Sequence, residues 1–332
     1  MTSQGAAPRR GLRDVGAYES PQLDVAARLN TNECPYPLPA EFASDLARAV
    51  ADLALNRYPD GRALRLREEL ADRAGHSAEG TWVANGSNEI LTELLLAYGG
   101  PDRTAMTFEP TYLLHARLAW IAHTRHVACR LSAPWSIGDS EISSARDARP
   151  NIVFVCSPNN PTGNSQSVDV VDRLADSLPR SLVVVDEAYI EFGGKTAQDL
   201  LGTRANVVIV RTFSKAFALA GARIGYCLAA PDVVEDLGRV RLPYHLSSLT
   251  QEAGLAALRH TTDATALIDA VRRERDRILA ALGAMPGVEV FASDANFVLF
   301  RPPPDRPAKQ VWLIGRRRQD ASLTARRPTG WP

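Results

Sequence analysis

Cysteine is scarce in this chain of 332 residues, and its four cysteines are far apart in the sequence, at Cys34, Cys129, Cys156 and Cys227. Their spacing offers neither the Cys-x-x-Cys pairs of zinc sites nor the dense pairing of disulfide-stabilised secreted domains. We therefore expect free thiols, a cytoplasmic protein and no metal site.

Neither sign of charge is in surplus, because Lys and Arg together number 38 and Asp and Glu also number 38. This balance argues against binding nucleic acid or an anionic membrane through a bulk electrostatic field. No stretch reaches the roughly 20 apolar residues of a membrane-spanning helix, and residues 1–13 lack the apolar core of a signal peptide. A hydrophobic content of 45% is enough for a sizeable core.

The chain does contain short apolar segments, rich in β-branched residues, that alternate with amphipathic ones. Continuous apolar runs predict strands covered on both faces at Thr81–Ala84, Ile152–Cys156, 182–185 and 207–210. Helical periodicity predicts helices over 89–98, Val168–Ser177, 250–259 and 262–282. Strands and helices in alternation indicate an α/β domain with a largely parallel sheet.

A polar cluster follows each of the four predicted strands. The clusters occupy residues 85–89, 157–163, 186–189 and 211–215. Any one of them is also typical of an ordinary turn or helix cap. Ligands bind at the carboxyl ends of the strands in open α/β sheets, so four clusters at four strand ends favour one shared crevice. Ser87 is expected to N-cap the helix after the first strand, whose free amides would bind an anion.

The cluster after the fourth strand has the most specific chemistry. Lys215 follows Thr212 and Ser214, and Arg223 lies eight residues further on, in a segment rich in Gly and Ala. Enzymes that use pyridoxal 5′-phosphate need this combination. A lysine amine joins the cofactor aldehyde covalently, while hydroxyl groups and an arginine fork hold the phosphate.

With these residues in place, the sequence resembles the class I/II aminotransferases, which are fold-type-I pyridoxal-phosphate enzymes. The resemblance covers about residues 25–304 and includes the Asn-Pro-Thr-Gly turn at 160–163 and the segment 211–226. Asp-Glu-Ala-Tyr-Ile-Glu-Phe at 186–192 and Arg-Leu-Pro-Tyr at 241–244 narrow it to the branch that acts on histidinol phosphate.

The resemblance implies an α/β fold of the type I pyridoxal-phosphate transferases. Its large domain, 46–245, would hold a mostly parallel mixed sheet flanked by helices. Residues 246–304 would form a smaller α+β domain, and residues 1–45 would supply an N-terminal arm and part of that small domain. It also implies a homodimer with shared active sites.

The resemblance assigns roles to individual residues. Lys215 is the catalytic residue, which carries the cofactor and moves a proton during the reaction. Asp186 pairs with the ring nitrogen, Asn160 and Tyr189 bind the ring oxygen, and Tyr112 stacks on the ring. The phosphate is held by Ser87, Asn88, Thr212, Ser214 and Arg223, with Tyr58 reaching the phosphate in the neighbouring subunit. Asn160 and Asn32 would contact the substrate.

The implied reaction is transamination of L-histidinol phosphate with 2-oxoglutarate, which gives imidazole acetol phosphate and L-glutamate in histidine biosynthesis. The residues leave three alternatives open. An aromatic amino-acid aminotransferase or a pyridoxal-phosphate-dependent decarboxylase of an amino-acid phosphate would keep the same cofactor. A non-catalytic homologue would bind the cofactor without turnover.

The family pattern fails near the end of the chain. Residues 301–332 contain six prolines and eight basic residues against two acidic ones, Asp305 and Asp320. We expect residues 305–332 to be an aberrant basic tail that leaves the small domain incomplete, as a reading-frame change or truncation near residue 312 would produce. A natural tail that binds an acidic partner is the alternative.

Overall fold

The computed structural model describes residues 6–17, 28–306 and 308. Residues Glu33–Arg306 form one compact unit, which contains every element below. The described residues before Glu33 include the short 3₁₀-helix Leu12–Asp14 and belong to a separate unit. Most of the predicted basic tail, 305–332, lies outside the described residues.

The elements of the compact unit follow one another in an α/β order. Its strands are β1 (Thr81–Ala84), β2 (Thr104–Glu109), β3 (Arg125–Arg130), β4 (Ile152–Cys156), β5 (Leu182–Asp186), β6 (Val207–Thr212), β7 (Gly225–Leu228), β8 (Glu289–Val290) and β9 (Phe300–Arg301). Its α-helices are α1 (Ala40–Ala51), α2 (Leu64–Ala74), α3 (Ser87–Tyr98), α4 (Leu113–Ile121), α5 (Asp139–Ala148), α6 (Val168–Ser177), α7 (Phe213–Ala216), α8 (Pro231–Val240), α9 (Ser248–Arg259) and α10 (Thr261–Gly283).

Seven strands form one sheet in the order β1-β7-β6-β5-β4-β2-β3. Strand β7 runs antiparallel to both of its neighbours, and the pairs from β6 through β3 are parallel. The two short strands β8 and β9 form a separate antiparallel pair. The largely parallel sheet of the α/β class is therefore confirmed.

The central strands are continuously apolar because helices cover both faces of the sheet. Phe154, Val184 and Val208 face one side, in a core cluster that includes residues of α3, α4 and α8. Their immediate neighbours in the chain face the other side, in a cluster that includes residues of α5 and α6. Burying each large apolar side chain stabilises the fold by about 1.5–3 kcal/mol, so the two helical layers fix the sheet between them.

The ends of four strands meet at one edge of the sheet, as the sequence predicts. Ala84 at the end of β1 is opposite Gly225, and Gly225 is opposite Thr212 at the end of β6. Asp186 at the end of β5 is opposite Val210 on one side and Cys156 on the other. The polar clusters that follow these strands therefore open into one crevice.

A second group of elements lies after residue 245. Helix α1 packs on α9, and α10 packs on β8 and on the 3₁₀-helix Ile190–Phe192. Arg272 and Arg275 of α10 donate hydrogen bonds to the carbonyl of Phe192, at 3.1 and 3.0 Å. This helix thus holds the chain that follows β5, whereas a domain boundary at 245/246 stays a prediction.

Candidate active site

Lys215 lies half-buried on α7, a single helical turn directly after β6. The turn begins at Thr212, whose Oγ1 accepts a hydrogen bond from the backbone N–H of Ser214 at 3.2 Å. The Lys215 Nζ is 5.8 Å from the ring centroid of Tyr189. Burial lowers the pKa of the Lys215 amine, and the positive charge of Arg223 lowers it further, while the Glu33 carboxylate opposes this shift. The setting therefore shifts the amine toward its neutral, nucleophilic form.

A group of donors suited to an anion lies beside Lys215. The Oγ1 of Thr212 donates to the Oγ of Ser214 at 3.0 Å, and Nη1 of Arg223 donates to the same Oγ at 3.2 Å. The Arg223 guanidinium also lies against Gly86, where an added Cβ would come within 2.5 Å of Nη2. The arginine, the two hydroxyl groups and the start of α3 thus surround one small space, which we call the anion cradle.

The start of α3 corrects one sequence prediction. Ser87 is the first residue of the helix and not its cap; the cap is Gly86, with φ 82°, and no side chain caps the helix. Glycine suits this position because it adopts a positive φ freely and leaves room for Arg223. The first N–H groups of a helix have no acceptor within the helix, so those at the start of α3 are suited to an anion.

Asp186 ends β5 and is almost fully buried, with 2% of its surface exposed. One carboxylate oxygen accepts from the N–H of Ala188 at 3.2 Å, and the other is 3.0 Å from Nε2 of the buried His115. The His115 ring stacks on Phe154 with centroids 4.7 Å apart. The carboxylate is therefore held in one orientation at the floor of the crevice.

The predicted ring-binding residues lie close to this floor. Nδ2 of Asn160 donates to the Tyr189 hydroxyl at 3.3 Å. Tyr112 packs edge-on against His115, with centroids 5.5 Å apart, and its hydroxyl is 3.4 Å from Oδ1 of Asn88. These contacts join the turn after β4 to the loop after β5, and the loop before α4 to the start of α3.

Tyr58 and Asn32 are the remaining predicted site residues. Tyr58 is 80% exposed and stacks on Tyr244 with centroids 4.4 Å apart. Asn32 belongs to the separate N-terminal unit, where its backbone has φ 53°. The other site residues of the sequence analysis lie around the crevice, although the role of each remains a prediction.

Sequence reasoning did not identify His115 or Glu187. His115 is completely buried on α4 beside Asp186, and a histidine in the mostly apolar segment Leu113–Ile121 was its only sequence signal. Glu187 is also buried and pairs with Arg211 of β6 at 2.9 Å. It accepts a hydrogen bond from the N–H of Ala197 at 2.8 Å as well. This pair ties the ends of β5 and β6 to the loop that follows them.

The family profile of aminotransferases of class I and II matches residues 26–320. The chain belongs to the class I and II aminotransferases. The cofactor of this family is pyridoxal 5′-phosphate, and the match extends beyond residue 304. No helix among the described residues combines the length and apolar character needed to cross a bilayer.

Curated relatives agree with this assignment. The histidinol-phosphate aminotransferase of Thermobifida fusca is 46% identical over 308 residues, which cover 90% of this chain and 83% of that protein. The histidinol-phosphate aminotransferase of Paenarthrobacter aurescens is 44% identical over 88% of this chain and 81% of that protein.

Solved structures have the same fold. Histidinol-phosphate aminotransferase from Sinorhizobium meliloti, in complex with pyridoxal-5′-phosphate, has a TM-score of 0.81 at 24% identity, covering 93% of this chain and 84% of that one. L-threonine-O-3-phosphate decarboxylase from Porphyromonas gingivalis has a TM-score of 0.68 at 25% identity, covering 79% of this chain and 78% of that one.

Proposed function

We propose that this chain transfers the amino group of L-histidinol phosphate to 2-oxoglutarate, with pyridoxal 5′-phosphate as its cofactor. The products are imidazole acetol phosphate and L-glutamate. The observation that carries the proposal is the half-buried Lys215, whose amine has a lowered pKa and feels the charges of both Arg223 and Asp186. The substrate follows from the curated relatives, which are histidinol-phosphate aminotransferases. This chain matches them over most of their length.

The residues of the crevice fit this cofactor by their chemistry. The anion cradle supplies an arginine, two hydroxyl groups and helix N–H groups, which together suit a phosphate. The buried carboxylate of Asp186 suits a protonated ring nitrogen. The Asn160–Tyr189 pair supplies hydrogen-bond donors for a ring oxygen, and Lys215 supplies the amine.

When bound, pyridoxal phosphate supplies an aldehyde carbon that accepts an amino group and a ring that withdraws electrons. The remaining chemistry belongs to the protein. Lys215 would be the base that takes the proton from Cα of the amino donor and returns it as the acid, a role that the lowered pKa of its amine favours. Asp186, which His115 orients through a contact of 3.0 Å, would pair with a protonated ring nitrogen.

The chain is proposed to act as a homodimer in which Tyr58 reaches the phosphate site of the partner subunit. Two observations support this proposal. Tyr58 is 80% exposed and is kept in place by its stack on Tyr244. Leu55 and Leu242 are also largely exposed, at 64% and 73%, and exposed apolar side chains of this kind favour a protein interface.

A cytoplasmic location is also proposed, since all four cysteines are free thiols.

Decarboxylation of an amino-acid phosphate is the second candidate function. The structural likeness to L-threonine-O-3-phosphate decarboxylase supports it. Both reactions need the same lysine, carboxylate and anion cradle. Product analysis separates them, because only decarboxylation releases carbon dioxide and only transamination forms L-glutamate from 2-oxoglutarate.

The first test locates the cofactor. The purified protein is incubated with pyridoxal 5′-phosphate, reduced with borohydride and digested for peptide mapping. Its lysines are Lys195, Lys215 and Lys309, so the assignment is unambiguous. We expect the adduct on Lys215, its loss in Lys215→Ala and its retention in the control Lys195→Ala. An adduct confined to another lysine would refute the proposed site.

The second test identifies the reaction. L-Histidinol phosphate, L-tyrosine and L-threonine phosphate are each supplied with 2-oxoglutarate, and L-glutamate and carbon dioxide are measured. We expect L-glutamate with L-histidinol phosphate above all, without carbon dioxide. Release of carbon dioxide from L-threonine phosphate without L-glutamate would favour the decarboxylase. Faster reaction with L-tyrosine would favour an aromatic aminotransferase. Lys215 labelling without any turnover would favour a non-catalytic homologue.

A further inference from the structure

Glu89 lies in the first turn of α3 and reaches back toward the chain that enters the helix. Its Oε2 accepts hydrogen bonds from the backbone N–H of Asn85 and from the Asn85 side-chain Nδ2, the latter at 2.8 Å. A glutamate at this helical position ordinarily binds the N–H of the cap residue. Here the cap, Gly86, donates its N–H to the carbonyl of Ala84 at 2.8 Å. Glu89 therefore holds the residue before the cap.

This position matters because the turn after Asn85 forms one wall of the anion cradle. Gly86 has φ 82°, and a Cβ added to it would come within 2.5 Å of Nη2 of Arg223. A glycine has more conformational freedom than any other residue. The direction in which the first N–H groups of α3 point therefore depends on what holds the chain on either side of Gly86. On the strand side, that restraint is Asn85 bound to Glu89.

Asn85 also binds a second segment, the loop 241–246. Its Nδ2 donates to the carbonyl of His245 at 2.8 Å. The His245 ring stacks on Trp82 with centroids 5.5 Å apart, and its Nε2 is 3.0 Å from the carbonyl of Val83. Asn85 is thus the point at which β1, the start of α3 and this loop are joined.

A metal site is the competing interpretation of this cluster, because Glu89, Glu93 and His245 each place one ligand atom within 4.8 Å of the others. The hydrogen bonds argue against it. Nε2 of His245 is bound to Val83, and Nη1 of Arg241 lies 3.5 Å from Nδ1 of the same ring. Glu93 accepts from Nε1 of Trp82 at 2.8 Å. A cation would have to displace Arg241 and these partners, so the cluster is better suited to holding the chain.

The charge of Glu89 also indicates that this residue acts by holding the chain. A carboxylate in the first turn of α3 repels a phosphate bound at that turn. It therefore cannot assist phosphate binding by direct attraction. Its contribution must come from the hydrogen bonds that fix Asn85.

We propose that Glu89 is a positioning residue for the cofactor phosphate, acting through Asn85 on the turn Gly86–Ser87–Asn88. The inference rests on the proposed function, because it requires a phosphate-bearing cofactor in the anion cradle. Glu89 itself does not touch the phosphate. Its removal should weaken the recognition of the phosphate group and leave the recognition of the ring unchanged.

The test compares two ligands that differ only in the phosphate. The dissociation constants of pyridoxal 5′-phosphate and of pyridoxal are measured for the full chain and for four variants. Glu89→Ala and Asn85→Ala remove the hydrogen bonds, whereas Glu89→Gln keeps an oxygen that accepts both. Glu141→Ala is the matched control, because Glu141 is also a first-turn glutamate, on α5, and accepts from the backbone N–H of Gly138 at 2.9 Å.

We expect Glu89→Ala and Asn85→Ala to lower the preference for pyridoxal 5′-phosphate over pyridoxal by about 10-fold or more. The affinity for pyridoxal should stay within about 2-fold of the parent. Glu89→Gln should stay within about 3-fold of the parent preference, because it loses the charge and keeps the acceptor. Glu141→Ala should bind both ligands like the parent.

Three results would overturn this inference without affecting the proposed function. The first is an unchanged preference in Glu89→Ala and Asn85→Ala, and the second is an equal loss of affinity for both ligands. The third is a loss of preference in Glu89→Gln as large as in Glu89→Ala. If Glu89→Ala does not fold, Asn85→Ala provides the same comparison. A parent protein that binds pyridoxal as tightly as pyridoxal 5′-phosphate would refute the proposed anion cradle, and the inference with it.

Discussion

Nε2 of His115 lies 3.0 Å from Oδ2 of Asp186, and neither side chain has appreciable exposed surface. The other ring nitrogen, Nδ1, has no hydrogen-bond partner among the residues that the structure describes. Nε2 is therefore the ring nitrogen that donates to the Asp186 carboxylate, and this hydrogen bond fixes the orientation of both side chains. His115 thus orients the Asp186 carboxylate, which is proposed to pair with the ring nitrogen of the cofactor.

Replacing His115 by phenylalanine should lower the rate of amino transfer by about 10- to 100-fold, by analogy with other histidine–carboxylate supports of reactive groups. The aromatic stack on Phe154 would remain, while Asp186 would lose one donor. Rapid-mixing spectroscopy of the reaction with L-histidinol phosphate measures this rate.

The control is His126→Phe, which removes the contact between Nε2 and the Thr107 hydroxyl at 2.8 Å, in the edge strand β3. The rate of this variant should match the parent. Equal losses in the two variants would show that the His115–Asp186 contact has no special role.

Gly225→Ala should weaken both the fold and the binding of pyridoxal 5′-phosphate. An added Cβ would lie 2.3 Å from the backbone nitrogen of Ser87 and 2.4 Å from the carbonyl carbon of Gly86, so the start of α3 would have to move. We expect a loss of about 1–3 kcal/mol in the free energy of unfolding and affinity reduced by about 10-fold or more. Urea denaturation and ligand titration measure the two effects.

Gly238→Ala is the matched control, because an added Cβ on helix α8 would meet no atom within 4 Å. Alanine is the better helix former, so this variant should be as stable as the parent or up to about 1 kcal/mol more stable. Similar behaviour of the two variants would contradict the close approach of β7 to α3.

The central part of the fold could be predicted because its sequence signals are local. Strands β1 and β4 have the predicted bounds, and β5 and β6 extend the predicted runs by one and two residues. Strand β3 could not be predicted in the same way. It lies at the edge of the sheet and contains no fully buried residue, with Arg125, Ala128 and Arg130 exposed. Its apolar run is too short to distinguish it from a loop.

The site could be predicted where residue type determines the chemistry and could not where three-dimensional contacts determine it. Lys215 and Arg223 were evident from their spacing and from the family resemblance. The prediction for Ser87 as a cap was wrong, because the cap is Gly86, where Arg223, far along the chain, leaves no room for a side chain. His115 was missed because its partner, Asp186, is 71 residues away in the sequence.

Mixing two inactive variants tests the proposed dimer. Tyr58→Phe removes the hydroxyl that is proposed to reach the partner's phosphate, and Lys215→Ala removes the catalytic amine. A heterodimer would contain one site with both groups intact if the sites are shared. We expect the mixed dimer to recover about half of the parent activity per dimer.

The control for this experiment is a mixture of Lys215→Ala with Tyr244→Leu. Tyr244 stacks on Tyr58 within one subunit, and leucine cannot replace that aromatic stack. Recovery of activity in this mixture would show that Tyr244, like Tyr58, contributes to the active site of the partner subunit. Absence of recovery in the first mixture, with heterodimers verified by mass spectrometry, would contradict shared sites.

Stability should fall as pH rises through neutrality because of Glu93. Burial raises the pKa of this carboxyl group from 4.5 to about 8, and the Glu89 carboxylate adds to the shift. The hydrogen bond from Trp82 and the positive charge of Arg241 oppose it. The folded protein therefore binds a proton that the unfolded chain releases at lower pH. This stabilisation is fully present below pH 4.5 and is lost as pH rises through about 8.

Glu93→Gln should remove this dependence, because an amide still accepts from Trp82 and has no proton to lose. Relative to this variant, the parent should lose up to about 1.4 kcal/mol of unfolding free energy per pH unit between the two pKa values. Urea denaturation at pH 5, 6.5 and 8 measures the slope. The exposed Glu68 of α2 supplies the control Glu68→Gln, which should keep the parent's slope. Parallel pH profiles for the parent and Glu93→Gln would show that Glu93 is ionised in the folded protein at neutral pH.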